Sequence, residues 1–218
     1  MPISQGRGSD GKAADVALGR HGDQLASALH GKYAEQALRG NLFYASTVVA
    51  GLAIPISTTT APTVMLWNPG DSGVDAVLGS YTAGQASGDA VGATIGLVAV
   101  STLVSAGSNI ATGNLITAFA QNVFNTNTFN AKLNSGNRPK VKSSTQGTNT
   151  ITAGTWVRAL GMGWNSAILT ANSSGNVFVY DFDGQVVLTP GTAVHVAANA
   201  ASVALFCQTI SWYEVPAS

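Results

Sequence analysis

From Val203 to Trp212 the chain alternates strictly, with Ala204, Phe206, Gln208, Ile210 and Trp212 on one parity and Val203, Leu205, Cys207, Thr209 and Ser211 on the other. Both parities are mostly apolar. A strand with one wet face reads apolar and polar in turn, whereas one that is apolar on both sides lies at the centre of a sheet or between layers. Other strands must flank this run, and the rest of the chain offers them.

"NLFYASTVVAGLAIPIS" is rich in Phe, Tyr, Val and Ile and is punctuated by Gly51 and Pro55. "APTVMLWNPGDSGVDAVLGSY" predicts two strands around a loop, because Asn68-Pro69-Gly70 and Ser72-Gly73 are turn residues. "ATIGLVAVSTLVS" predicts a long apolar strand, and residues 120–150 read as loop. Later come "TITAGTWVRAL", "NSAILTAN" and "GNVFVYDFDG", the last closing on a tight turn at Asp183-Gly184. "QVVLTPG" and "TAVHVAAN" follow, with Pro190-Gly191 between them. About ten short strands with turns every 8–12 residues predict an all-β fold, a jelly-roll-like β-sandwich.

The opening is different. Nine of the twenty charged side chains fall in residues 1–40: Arg7, Asp10, Lys12, Asp15, Arg20, Asp23, Lys32, Glu35 and Arg39. Glycines at 6, 8, 11, 19 and 22 argue against a stable helix in the first twenty residues. From Asp23, which is placed to cap, Leu25, Leu29 and Tyr33 form an i, i+4 stripe that Gly40 would end. Residues 1–40 thus form a charged N-terminal arm, short helix or extended chain, ahead of a β-sandwich body over 41–218.

Charged residues are 9% of the whole, against about 25% in ordinary soluble domains. Such a surface suits a protein covered by copies of itself or by neighbours. Ten basic and ten acidic residues cancel, so no overall field draws nucleic acid or an anionic membrane. No charge occurs between Asp89 and Lys132, a stretch long enough for a membrane span, but Gly92, Gly96 and Gly107 and the absence of basic flanks favour a strand and no membrane partner. The first residues, "MPISQGRGSDGK", contain no apolar core of a signal peptide.

Chemistry is sparse. The histidines are His21 and His30 in the arm and His195 among valines, with no metal-binding spacing and no cofactor motif. Cys207, the single cysteine, sits in an apolar run as a buried thiol would. Asp181 and Asp183 open like a calcium loop but lack its further ligands, so a turn explains them better, and Asp71 and Asp75 carry the same weak hint. The carboxylates Asp71, Asp75, Asp89, Asp181, Asp183 and Glu214 form no visible pair, and no catalytic residue emerges. Lys132, Arg138, Lys140 and Lys142 are a basic group in polar sequence, read as a solvated loop or a subunit contact. Trp156, Trp164 and Tyr180 offer rings on which a sugar can stack, although packing accounts for most such aromatics.

"HGKYAEQALRGNLFYAST", "AIPISTTTAPTVMLWNP", "LTPGTAVHVAA" and "SWYEVP" give most of the chain a texture that resembles virion structural proteins of tailed bacteriophages. The resemblance implies a jelly-roll body that assembles as a homotrimer, placed as a capsid decoration or cement protein, or in the tail or neck. It also implies assembly in the host cytoplasm, a location in the virion, and as partners further copies and a major capsid or other virion protein. The arm would be the attachment device, with Arg20, His21, His30, Lys32, Tyr33 and Arg39 as its contacts. The alternatives are a carbohydrate- or receptor-binding β-sandwich of a phage tail or fibre, and a self-assembling coat subunit.

Overall fold

The computed structural model describes residues 5–7, 13–15, 33–59, 61–88, 92–101, 128–133, 137–145, 151, 154–162 and 177–217. The chain divides into two compact units, Met1–Glu35 and Gln36–Ser218. In the first, β1 (Gln5–Arg7) and β2 (Ala13–Asp15) pair antiparallel with Gly6 opposite Ala14. The expected cap at Asp23 and the residues Leu25 and Leu29 lie outside the described residues. Helix α1 (Ala34–Arg39) ends at Gly40, as the sequence predicts. Gly40 takes φ 75°, its N–H donates to the Ala37 carbonyl at 3.0 Å, and the Asn41 N–H donates to Gln36 at 2.9 Å. This doubly bonded left-handed cap satisfies two terminal carbonyls at once.

The second unit is an antiparallel β-sandwich. Its strands are β3 (Leu42–Ser46), β4 (Met65–Asn68), β5 (Val74–Ser87), β6 (Thr94–Ser101), β7 (Thr128–Asn130), β8 (Lys142–Ser144), β9 (Thr155–Met162), β10 (Val177–Asp181), β11 (Val187–Leu188), β12 (Thr192–Ala198) and β13 (Leu205–Pro216). One sheet runs β10-β5-β13-β3-β7, with β11 also on β5, and the other runs β8-β4-β12-β6-β9. Following the chain, β3, β4, β5 and β6 change sheet at every step, β9 stays beside β6, and β10, β12 and β13 alternate again. That is jelly-roll winding, in which strands neighbouring in sequence face each other across the core.

β13 is central, between β5 and β3, as its two apolar parities require. Its inward residues Phe206, Ile210 and Trp212 join Phe43, Leu66, Leu78, Tyr81, Ile95, Leu97 and Val196 in the main core. Gln208 shares that inward parity and is satisfied there. It accepts from the Tyr81 hydroxyl at 2.9 Å and donates to the Leu52 carbonyl at 3.0 Å. Burial pushes the Tyr81 phenol far up, so it remains a neutral donor.

The segment expected as loop over residues 120–150 contains two short strands. β7 extends the first sheet beside β3, and β8 extends the second beside β4. A single insertion between β6 and β9 therefore lines the same side of both sheets. The apolar stretch expected as a strand forms one at Thr94–Ser101, and no described helix is long and apolar enough to cross a membrane.

The turn at Asp183-Gly184 forms with φ 54° and 71° and closes with Gln185 N–H on the Phe182 carbonyl at 2.9 Å. Positive φ at both central residues makes it a type I′ turn, usually a hairpin connection. Here the flanking strands do not pair with each other. Both run along β5, with Tyr180 opposite Tyr81 and Val187 opposite Val77, and the turn is an excursion that drops Phe182 into the core.

Asn68 joins the layers at one corner. From β4 its amide donates to the Val74 carbonyl at 2.7 Å and the Leu188 carbonyl at 2.8 Å, both on the opposite sheet, and the residue is buried. Asn68→Ala removes the donor to two enclosed carbonyls, with an expected loss of about 2 kcal/mol in urea unfolding and an unchanged m-value.

Candidate functional site

The residues proposed from sequence scatter over the fold. Arg20, His21, His30, Lys32 and Trp164 lie outside the described residues. Tyr33 precedes α1 and Arg39 ends it, and both have interaction partners.

Trp156 and Tyr180 do not form one platform. Trp156, on β9, lies so close over Gly96 of β6 that a Cβ there would be 2.0 Å from the indole Cζ2. Gly96 is on the outward parity of the second sheet, so the indole covers that face. Tyr180, on β10, packs edge-on against the buried Phe182 with centroids 5.1 Å apart, at the margin of the main core. The Arg158 guanidinium carbon sits 5.6 Å from the Tyr180 ring centroid, a cation–π contact that closes the sandwich between β9 and β10.

The Asp181-Asp183 pair is built as a turn. Asp183 N–H donates to Asp181 Oδ1 at 2.9 Å, which fixes the bend from within. Asp71 is exposed in the β4–β5 loop, where Ser72 N–H closes on the Pro69 carbonyl at 3.1 Å. Among the described residues no three of His, Cys, Asp and Glu gather as metal ligands would.

The basic group belongs to the insertion, and its surroundings reveal Glu214, which the sequence shows only as one acid in an apolar strand. Glu214, buried near the end of β13, accepts from Lys140 N–H at 3.1 Å, from Val141 N–H at 2.9 Å and from Trp212 Nε1–H at 3.4 Å. It grips the backbone of the insertion. A second clasp lies nearby, where Asn130 and Asn137 donate to the Gly40 carbonyl at 2.8 and 3.3 Å. Strand end, helix cap and insertion are thus tied by side chain to backbone bonds. The local signals were the lone Glu among Trp, Tyr and Val, and the asparagines flanking Lys132 and Arg138.

His195 lies on the outward parity of β12, between Met65 of β4 and Val98 of β6. It is 1% exposed. Nδ1 is 3.5 Å from the Val196 carbonyl, and among the described residues Nε2 has no hydrogen-bond partner. Burial lowers its pKa to about 4, only partly offset by the Val196 contact, so the ring is neutral at pH 7. With Met65 and Val98 opposite it on the neighbouring strands, no carboxylate among the described residues is paired to it for acid–base work. A crevice of about 210 Å³ among Leu97, Ala99, Val157, Val186, Leu188 and Val194 is equally without ionisable groups.

The outer faces of the two sheets differ. On the second sheet Met65, Trp67, Val100, Ile151 and Ala193 form a second buried cluster. On the first sheet Val177, Val179 and Val187 of the edge strands, and Phe129 of β7, stand open at 68, 66, 49 and 52% exposure. Comparison of the chain with protein-family models, with curated proteins and with solved structures finds no match in any of the three.

Proposed function

We propose that the chain is a non-enzymatic virion structural protein of the capsid decoration or cement kind. In this reading it assembles as a homotrimer in the host cytoplasm and joins the virion through its N-terminal arm, its partners being its own copies and a major capsid or other virion protein. The observation that carries the reading is the division of the chain into an N-terminal unit of 35 residues and a jelly-roll body. A unit of 35 residues is below the size at which a chain ordinarily folds by itself, and a short segment that orders on a neighbour covers much surface through individually weak contacts. The body supports the same reading, because its polar groups serve packing: Asn68 and Glu214 hold backbone, and His195 is buried and neutral.

The test is the solution mass of the full chain beside a chain that starts at Gln36. Two trimers are the expected result, with only the full chain retained on capsids that lack it. Loss of the trimer on truncation would make the arm a subunit joint and the protein a self-assembling coat component. Monomers in both cases at tens of micromolar would remove the assembly reading.

A further inference from the structure

We infer that the open outer face of the β10-β5-β13-β3-β7 sheet is where one copy of this chain meets the next. The inference rests on the assembly reading above and assigns that assembly a surface.

The face is continuous by register. One row runs from Val177 through Gly84 to Cys207, whose thiol donates to the Val49 carbonyl at 2.9 Å. The next runs from Val179 through Thr82 and Thr209 to Ser46. Neither row contains Asp, Glu, Lys, Arg or His. Asp181 and Asp75 share the outward parity at the other end of the sheet, where they fall at the rim, so the two uncharged rows form the centre of the contact, and a closed trimer sets them against a different patch of the next copy. Beside the rows the turn at Val48–Gly51 carries Val49 at 90% exposure, and Val203 stands at 76% at the same end of the sheet. Turn tips are ordinarily Gly, Asn, Asp or Pro, so valine held open there asks for a cover.

Desolvation of this face is inexpensive. The Ser46 and Thr209 hydroxyls bond each other at 2.9 Å, as do those of Ser80 and Ser211, and the Cys207 thiol already has its acceptor. Polar groups paired within the face lose little when water leaves, whereas unpaired ones would cost the full desolvation penalty. The small side chains at Gly84, Thr82, Ser46 and Thr209 also leave the sheet flat enough for close approach.

The area is sufficient. About forty strand residues, each covering about 16 Å² from a rise near 3.3 Å and a spacing near 4.8 Å, give roughly 650 Å². With the Val48–Gly51 turn and Val203 added, this approaches the roughly 800 Å² that each partner contributes to a standard interface. On the opposite sheet, among the described residues, Met65, Trp67, Val100, Ile151 and Ala193 of the outer side are already buried.

The test compares the full chain with V177K/V179K, and with V157K as a control on the other sheet, where Val157 is 55% exposed. The expected result is an oligomer for wild type and for V157K, and the single-chain mass for V177K/V179K, which keeps the β-sheet circular dichroism of wild type and a single cooperative thermal transition. An oligomeric wild type with an equally oligomeric V177K/V179K overturns the assignment of the face and leaves the assembly reading in place. A monomeric wild type removes both. Should the lysines disturb folding, Cys207 supplies a readout in the unaltered protein, since it lies in the face and is the single cysteine. Its labelling by a small thiol reagent slows at least severalfold as the protein is concentrated into its oligomer. A rate that stays constant while the mass rises overturns the assignment.

Discussion

Glu214→Ala is expected to lower the stability of the body by about 3 kcal/mol, several times the effect of removing an ordinary acid from a surface. The carboxylate takes two backbone N–H groups of the insertion, at Lys140 and Val141, and the indole N–H of the fully buried Trp212. Alanine leaves those donors without an acceptor, and each enclosed orphan costs about 1–3 kcal/mol. Glu214→Gln separates charge from geometry. It keeps one carbonyl oxygen for Val141 and Trp212 but turns an NH₂ toward the Lys140 N–H, so an intermediate loss of about 1–2 kcal/mol is expected. Urea unfolding ranks the three proteins, and amide hydrogen exchange locates the damage. Val141, only 1% exposed in the wild type, should lose protection well before the β13 amides facing β5. Equal stability of Glu214→Ala and wild type would show that the insertion holds to the sandwich without this clasp.

Acid should weaken the fold through His195, with a total cost near 3 kcal/mol by pH 4. In the native state burial holds the ring neutral down to about pH 4, while in the unfolded chain it takes a proton near pH 6.5. Between those values the unfolded state binds more protons, so stability rises with pH across the window. It is fully recovered above about pH 6.5 and falls by about 1.4 kcal/mol for each unit of acidification below that. His195→Gln removes the titration and keeps a neutral polar side chain of similar reach. The difference in unfolding free energy between the two proteins, followed from pH 7.5 to 4, cancels every other titrating group. A difference that grows in the mutant's favour as pH falls is the expected outcome. A difference that stays flat would mean that the ring is charged in the native state and finds an acceptor for its second proton.

Much of the architecture was legible as local pattern. The double apolar alternation placed β13 at the centre of a sheet, Gly40 marked the helix end, and Asp183-Gly184 marked a left-handed turn, because each depends on residues within a few positions. The candidate site was less legible. Trp156 and Tyr180 look alike in sequence, yet one covers Gly96 on an outer face and the other borders the core, since register across strands decides what an aromatic ring meets. Glu214 was visible only as an acid among apolar residues, and the backbone N–H groups it holds are more than seventy positions away.

By itself, then, the sequence determined most of the strands described, though not β7 and β8, together with their two-residue alternation, several turn positions and the division between a charged opening and a nearly uncharged body. Side-chain alternation and glycine conformation are properties of short segments, and short segments are what a sequence displays directly. Tertiary structure decided which strands pair, that consecutive strands cross the sandwich, and that the Asp183-Gly184 turn joins two pieces lying along β5. It also decided which sheet is covered on its outer side and which remains open. A period of two states only that a side chain points to one side or the other. What waits on that side is set by chain returning from far away, and no local periodicity carries that information.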